Sequence, residues 1–267
     1  MATSPPAATR PLVGAGLKMN LTASEAGRYF DVLRPRVAGI SGCDLFVLPP
    51  FTAIAAAREH LAGSNIAWGA QDVHPQDSGP FTGDISMPML ADLGCTYVEV
   101  GHVERRRAHG ETGELIAAKV AQVLRHGATP ILCVGEPEPV GMPAASAKVV
   151  AQLRVELGLV APADRAGVVI AYEPTWAIGQ AATAAPEYVA GVVHAIRAWL
   201  ASDDGGRATP RIIYGGSVNL SDVGSLLREA DVDGLFVGRA ALDPERFAAI
   251  AGAVQAARAT TSKVTAS

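Results

Sequence analysis

A single carboxylate, Glu173, follows the apolar run Val168 to Tyr172 and precedes a proline and a mostly apolar segment. A carboxylate at the mouth of a buried strand is poorly solvated when an apolar segment covers it. Poor solvation raises the pKa of the carboxyl group and makes the carboxylate a stronger base. The alternative is a rim carboxylate that is ion-paired with Arg105 or Lys18. The first interpretation makes Glu173 a candidate general base.

Two other side chains could act together with such a base. Lys18, followed closely by Asn20, ends the first strand-like run, where an ammonium group could hold an anion or a developing oxyanion. An ordinary surface lysine is an equally good interpretation. His102 begins a short helix-like segment, where its pKa should be lowered and a neutral imidazole can donate a hydrogen bond to a carbonyl oxygen. A structural histidine is the alternative.

Three glycine-containing segments stand at the ends of late strand-like runs: Gly179, "YGGSV" (214–218) and "FVGR" (236–239). Glycine lets the backbone approach a ligand closely, and backbone N–H groups at such loops bind phosphate. Each glycine alone could simply serve a turn. Taken with the lysine, histidine and glutamate, the three segments predict proton abstraction next to a carbonyl in a small phosphorylated substrate.

The elements that position these residues alternate along the chain. The strand-like runs are 12–19, 44–49, 66–71, 96–101, 130–135, 168–173, 211–216 and 233–238. Helix-like segments at 22–33, 113–127, 185–200 and 221–230 lie between some of them. This order predicts a single α/β domain, a closed (β/α)8 barrel, with its active site at the carboxyl ends of the strands. A doubly wound open sheet is the alternative.

Capping residues and boundaries follow from the same pattern. Thr22 or Ser24, and Ser221, are predicted helix N-caps, and "RHG" (125–127) is a predicted helix end. The barrel is expected to span residues 12–258, after a disordered lead at 1–11 and before a tail at 259–267.

Composition excludes several classes of function. The chain has 267 residues and a formal net charge of −4, and its short basic run 105–107 is too small for a nucleic-acid surface. No apolar run reaches membrane-spanning length, so no membrane partner is expected. The cysteines at 43, 95 and 133 predict buried free thiols in the cytoplasm. No histidine pair has metal-ligand spacing, and "GAG" (14–16) lacks a third glycine, so neither metal nor cofactor is predicted.

Several long motifs, in order, resemble the triosephosphate isomerase family over nearly the whole chain, from about Leu12 to Ile250. They are "LKMN" (17–20), "GHVERR" (101–106), "PILCVGE" (130–136), "AYEPTWAIG" (171–179), "YGGSV" (214–218) and "DGLFVG" (233–238). The resemblance implies a cofactor-independent isomerase. It also implies that "GPFTGDIS" (79–86) inserts into a neighbouring subunit, so that the chain forms a homodimer.

The resemblance also implies roles for individual residues. Glu173 matches the catalytic base, His102 the electrophile and Lys18 the cation that favours the charged intermediate. Glu104 matches a second acid that holds Lys18. The segment 174–184 matches a lid that covers the base. The phosphate-binding positions are matched by Gly179, Ser217 and Gly238.

Departures from the family pattern gather around the substrate. Gly16 replaces the usual asparagine before the lysine motif, Val103 replaces a serine, and Ala181 and Ala182 replace the lid's usual Gly-Lys. Arg239 stands where a glycine is usual and could bind phosphate or point outward to an acid. The loss of the asparagine side chain should open room for an added hydroxymethyl group.

These departures resemble the branch of the family that interconverts L-erythrulose 1-phosphate and D-erythrulose 4-phosphate in erythritol catabolism. The alternative is a triosephosphate isomerase of glycolysis that interconverts dihydroxyacetone phosphate and glyceraldehyde 3-phosphate. A non-catalytic sugar-phosphate-binding barrel is a third interpretation, which the joint presence of Lys18, His102 and Glu173 disfavours.

Overall fold

The protein folds as a closed barrel of eight parallel strands surrounded by helices, as the computed structural model describes it. The structure describes residues 10–179, 183–204 and 209–264. The strands are β1 (Leu12–Gly16), β2 (Asp44–Leu48), β3 (Ile66–Ala70), β4 (Tyr97–Val100), β5 (Thr129–Val134), β6 (Val169–Tyr172), β7 (Arg211–Tyr214) and β8 (Gly234–Val237). Each strand pairs with the next, and β8 pairs with β1. The predicted closed barrel is therefore confirmed, and the open sheet is wrong.

The α-helices lie outside this ring, between successive strands or after the last. They are α1 (Ala23–Val37), α2 (Ile54–Leu61), α3 (Met87–Asp92), α4 (Val103–His109), α5 (Gly113–Arg125), α6 (Met142–Glu156), α7 (Pro186–Asp204), α8 (Val223–Glu229) and α9 (Pro244–Val264). Helix α9 continues past residue 258, so the barrel boundary predicted there falls within a helix. The predicted lead, except for residues 10 and 11, lies outside the described residues.

Helix ends follow the predicted capping chemistry at two of three places. Thr22 caps α1 in a reciprocal pair with Glu25, and α5 ends at Arg125 before a left-handed Gly127. The third prediction was wrong. Ser221 lies inside a short 3-10 turn whose N-cap is Asn219, because the Asn219 and Asp222 side chains already satisfy the free backbone groups there.

Side chains alternate between two apolar cores. Inward-facing residues fill the barrel: Leu12, Phe46, Leu48, Ile131, Cys133, Val169, Ala171, Ile213 and Phe236. Their neighbours in sequence face the helices, as Val13, Ala15, Leu45 and Val47 do. Burial on both faces explains why the strands are almost continuously apolar. The same alternation aims Lys18 and Glu173 into the barrel mouth. The cysteines at 43, 95 and 133 are free and buried, as predicted.

Candidate active site

One cavity of about 420 Å³ opens at the carboxyl ends of the strands. Every residue that the sequence placed in the site lines it: Gly16, Lys18, His102, Glu104, Glu173, Gly179, Ser217, Gly238 and Arg239. These residues come from the ends of strands β1, β4, β6, β7 and β8. The closed barrel brings together side chains that are far apart in sequence.

The His102 side chain is held in one tautomer by the chain that follows it. His102 is the N-cap of α4, and its Nδ1 accepts a hydrogen bond of 3.2 Å from the backbone N–H of Glu104. Because Nδ1 accepts, a neutral ring carries its proton on Nε2. Burial, together with the Lys18 charge, lowers the pKa of His102 to about 4. Burial and Lys18 therefore keep this imidazole neutral, whereas the sequence argument relied on the helix N-terminus.

Lys18 lies between the His102 ring and a second acid, Glu104. Its Nζ lies 3.2 Å from Nε2 of His102 and donates a hydrogen bond of 2.7 Å to Oε1 of Glu104. Burial by itself would raise the pKa of Glu104, but the bond to Lys18 and its charge lower that pKa below the usual value. Lys18 also has a left-handed backbone with φ of 51°. Such strain in a residue with a side chain is typical of functional positions.

Glu173 is a buried carboxylate with little to stabilise its charge. Its Oε2 lies 3.5 Å from Nε2 of His102 and accepts no hydrogen bond from the described residues. Burial, and then the neighbouring Glu99 carboxylate, raise the pKa of Glu173 well above its usual value. The rim ion pair with Arg105 considered from sequence was wrong, because Arg105 pairs with Asp72 and Glu111.

The residues predicted to bind phosphate line the side of the cavity that follows β6, β7 and β8. Gly179 has φ of +77°, and the Ser217 hydroxyl donates to the carbonyl of Ala177 at 2.9 Å. The Arg239 guanidinium donates a hydrogen bond of 2.8 Å to the carbonyl of Gly179. Arg239 thus lines the cavity and ties the predicted lid to the end of β8, and it forms no ion pair with an acid in the described part of the chain.

Hydrogen bonds fix both ends of the predicted lid, although its central residues 180–182, including Ala181 and Ala182, lie outside the described residues. At the first end, the fully buried Glu136 carboxylate accepts from Nε1 of Trp176 at 2.7 Å and from the Tyr188 hydroxyl at 2.8 Å. At the second end, the Tyr214 hydroxyl accepts from the backbone N–H of Ala184 at 3.1 Å. Hydrogen bonds therefore hold both described ends of the predicted lid in place.

The space beside Gly16 differs from the sequence expectation. A Cβ built on Gly16 would stand 3.1 Å from Cζ of Phe236, whose ring lies inside the barrel. The room left by the missing side chain is thus partly filled by Phe236. The absence of an asparagine leaves an apolar wall here and frees less space than the sequence argument assumed.

Sequence reasoning missed Glu99, which also lines the cavity. It is the acidic residue of "TYVEVG", on β4. It lies two residues after Tyr97, so both side chains point into the barrel. An acidic residue within an apolar strand was the feature of the sequence that could have identified it.

Ligand atoms of Glu99, His102 and Glu173 lie within 4.8 Å of one another, a spacing at which a cation could bind. The Lys18 ammonium, 3.2 Å from the His102 ring nitrogen, already supplies positive charge there. The expectation of no metal stays a prediction.

The chain is similar in sequence to known triosephosphate isomerases. The family model described as triosephosphate isomerase matches residues 11–254. A triosephosphate isomerase of Symbiobacterium thermophilum is 43% identical over 252 residues, covering 93% of this chain and 98% of that protein. The protein of the same name from Thermus thermophilus is 43% identical, with 90% and 97% covered, and that from Mycobacterium tuberculosis is 42% identical, with 91% and 95% covered.

Proposed function

The chain belongs to the triosephosphate isomerase family, and we propose that it moves a carbonyl between adjacent carbons of a small phosphorylated sugar. The first candidate reaction interconverts dihydroxyacetone phosphate and glyceraldehyde 3-phosphate, the reaction implied by the names of the relatives. One observation carries the proposal: a buried carboxylate, a neutral imidazole and an ammonium group face one another in a single cavity.

The proposed chemistry assigns one task to each group. The Glu173 carboxylate removes a proton from the carbon next to the carbonyl, and the C–H electron pair becomes the carbon–carbon double bond of an enediolate. The Nε2–H of His102 donates a hydrogen bond to the carbonyl oxygen as negative charge forms there. Lys18 stabilises that charge. His102 then gives its Nε2 proton to the former carbonyl oxygen and takes the proton of the neighbouring hydroxyl, whose oxygen becomes the new carbonyl oxygen. The protonated Glu173 delivers its proton to the former carbonyl carbon, so protons and electrons balance overall.

The phosphate would bind between Gly179, Ser217 and Gly238. Backbone N–H groups at glycine-containing loops suit a phosphate, and the Arg239 guanidinium adds a positive charge nearby. Closure of the segment 174–184 would remove water from around Glu173 and so increase its basicity. It would also slow the elimination of phosphate from the enediolate.

The direct test follows solvent deuterium into the substrate. Wild-type protein should exchange the carbon-bound proton of triose phosphates with deuterium from the solvent. Glu173→Asp, which withdraws the carboxylate by one methylene, should lower kcat by ~100-fold, because catalysis is sensitive to displacements near 1 Å. Unchanged kcat in Glu173→Asp would mean that the base is another residue. No exchange into bound triose or tetrulose phosphates would favour a non-catalytic binding barrel.

Tetrulose phosphates are the second candidate substrates. Two features support them: Gly16 presents no side chain to the cavity, and Arg239 adds a cation. Steady-state kinetics with L-erythrulose 1-phosphate and with glyceraldehyde 3-phosphate separates the candidates. A kcat/KM for glyceraldehyde 3-phosphate on the order of 10⁸ M⁻¹s⁻¹, near the diffusion limit, would exclude tetrulose phosphates as the primary substrates.

We also propose a homodimer, built in part by the loop 79–86. The His74 and Phe81 rings pack with centroids 4.0 Å apart, which gives the exposed loop a defined shape. Met19, next to Lys18, is 95% exposed. An exposed apolar side chain beside the site suits a subunit contact. Sedimentation of wild-type protein and of Phe81→Asp tests this, with the variant expected to be monomeric.

No described helix has the length and apolar character needed to cross a membrane, and a cytoplasmic location stays a prediction.

A further inference from the structure

Glu99 is a buried acid in the cavity to which the proposed chemistry assigns no task. Only 6% of the residue is exposed, and it lies on the inner wall of the barrel at β4. Among the described residues, its one hydrogen-bond donor is the Cys133 thiol, with Sγ 3.6 Å from Oε1. A thiol is a weak donor, and a buried carboxyl group without strong partners is costly. A structure that keeps such a group usually has a use for it.

The barrel topology shows which end of a substrate Glu99 would meet. In a closed ring of eight strands, β4 lies opposite β8. The proposed phosphate positions, Gly238 and Ser217, follow β8 and β7, and Gly179 follows β6. A substrate whose phosphate binds at that side therefore directs its other end toward β4. Glu99 faces this end, and Lys18 and Glu173 lie beside it, where the reacting carbons would be.

We propose that Glu99 is a specificity-determining residue, whose carboxyl group hydrogen-bonds a hydroxyl on the carbon beyond the reacting pair. A triose phosphate has no such carbon, because its reacting pair includes the terminal carbon. A phosphorylated four-carbon ketose that reacts at its two internal carbons presents a terminal hydroxymethyl group there. The inference rests on the proposed isomerisation and deepens it by selecting the four-carbon substrates.

The protonation of the pair suits this role. Burial raises the pKa of Glu99 to about 7, and the charge on Glu99 in turn raises the pKa of Glu173. Two carboxyl groups this close in a dry cavity do not both ionise readily. Near pH 7, Glu99 is therefore present in both protonated and ionised forms, and either form can accept a hydrogen bond from a substrate hydroxyl. The protonated carboxyl group can both donate to and accept from a substrate hydroxyl.

Two other roles for Glu99 make different predictions. As a group that only tunes the basicity of Glu173, it would affect all substrates equally. As a ligand of a divalent cation with His102 and Glu173, it would make activity sensitive to chelators, although the Lys18 ammonium 3.2 Å from Nε2 of His102 opposes a second cation. Specific recognition of a terminal hydroxyl instead predicts a much larger effect on four-carbon ligands than on three-carbon ligands.

The experiment compares wild type with Glu99→Leu and Glu99→Gln, in the presence of EDTA. Kinetics is measured with L-erythrulose 1-phosphate and with glyceraldehyde 3-phosphate. Glu99→Leu should lower kcat/KM for the four-carbon substrate on the order of 100-fold more than for the triose, because a hydroxyl would lose its buried partner. A change in the basicity of Glu173 would apply to both substrates. Glu99→Gln should fall between, since an amide still hydrogen-bonds. Glu104→Gln, which removes a carboxylate at the rim of the same cavity, is the matched control and should affect both substrates alike.

Binding measurements keep the inference separate from the proposed reaction. Calorimetry with glycerol 3-phosphate and with erythritol 4-phosphate, which have no carbonyl group, reports affinity without turnover. Glu99→Leu should weaken only erythritol 4-phosphate, and the melting temperature of this variant should be no lower than that of wild type. If wild type turns over neither sugar, the proposed function fails while this binding comparison still tests Glu99. Equal losses on both ligands and both substrates, with a shifted pH profile, would overturn the specificity role. So would loss of wild-type activity in EDTA.

Discussion

Gly215 lies directly against the carboxyl group of Glu173, so that a Cβ at position 215 would stand 2.3 Å from Oε1. The other carboxyl oxygen, Oε2, lies 3.5 Å from Nε2 of His102. The proposed base is thus confined between a bare stretch of backbone after β7 and the imidazole after β4. The Glu173 carboxyl group can occupy this position only because residue 215 has no side chain.

Gly215→Ala should therefore damage catalysis far more than folding. The added methyl group would force the Glu173 carboxyl group away from the substrate, and displacements near 1 Å cost ~100-fold in rate. We expect kcat to fall by that order while the melting temperature changes little. Steady-state kinetics and thermal unfolding measure the two effects. Gly252→Ala, a glycine on α9 with open space around its Cβ position, is the control. Full activity in Gly215→Ala would show that Glu173 is not confined in this way.

Glu173→Gln should make the protein more stable, and the gain should grow with pH. The folded state holds the pKa of Glu173 above its usual value of 4.5. Below that value, both folded and unfolded wild type are protonated at this residue, and the two proteins differ least. As pH rises, the unfolded chain ionises first, which lowers the free energy of unfolding of wild type but not of the variant.

Thermal unfolding of wild type and Glu173→Gln from pH 4 to pH 8 measures this difference. A gain of about 1 kcal/mol would raise Tm by ~2–4 °C for a domain of this size. Glu104→Gln is the matched control with the opposite sign, because the Lys18 bond lowers the pKa of Glu104 in the folded state. Its effect should be small, since Glu104 is largely exposed. A difference between wild type and Glu173→Gln that shrinks as pH rises would contradict the raised pKa.

The barrel and the central part of the site could be predicted from the sequence because their signals are local. Each strand is an apolar run ended by a polar residue or glycine, and Lys18, His102 and Glu173 stand at such ends. Closure of the barrel then brings those ends together. Glu99 was not predicted, because its effect depends on which strands face each other and on what lies inside the barrel.

The space beside Gly16 is smaller than the sequence indicates, for a related reason. A missing side chain is visible in sequence, but the residue that fills the space is not. Phe236 comes from β8, which pairs with β1, and its ring lies beside Gly16. The contact of Arg239 with the Gly179 carbonyl likewise joins residues 60 positions apart. Such contacts follow from register and packing, which one sequence does not specify.

Gly16→Asn should shift substrate preference toward triose phosphates, but only where Phe236 can move. A side chain at position 16 would begin 3.1 Å from the Phe236 ring. We expect the single variant to lose stability and the double variant Gly16→Asn with Phe236→Leu to recover it. The ratio of kcat/KM for glyceraldehyde 3-phosphate to that for L-erythrulose 1-phosphate should rise in the double variant. Phe236→Leu alone is the control. An unaltered ratio in the double variant would remove the steric argument for a four-carbon substrate.

Tyr214→Phe should leave the lid poorly anchored at its second end. The Tyr214 hydroxyl accepts hydrogen bonds from the backbone N–H of Ala184 at 3.1 Å and from the Thr183 hydroxyl at 3.0 Å. Without it, the buried N–H of Ala184 loses its acceptor when the lid closes, at a cost of ~1–3 kcal/mol. Closure becomes less favourable, so kcat/KM should fall about tenfold, which corresponds to ~1.4 kcal/mol.

The same loss should release more inorganic phosphate per turnover from a triose phosphate, because a loosely covered enediolate eliminates its phosphate. A coupled phosphate assay beside the isomerase assay gives the ratio. Tyr29→Phe, which removes a buried hydroxyl that donates to the Ala241 carbonyl at 2.7 Å, is the control: it should lower Tm without changing the ratio. If phosphate release per turnover were the same in Tyr214→Phe as in wild type, the bond to Ala184 would have no part in protecting the intermediate.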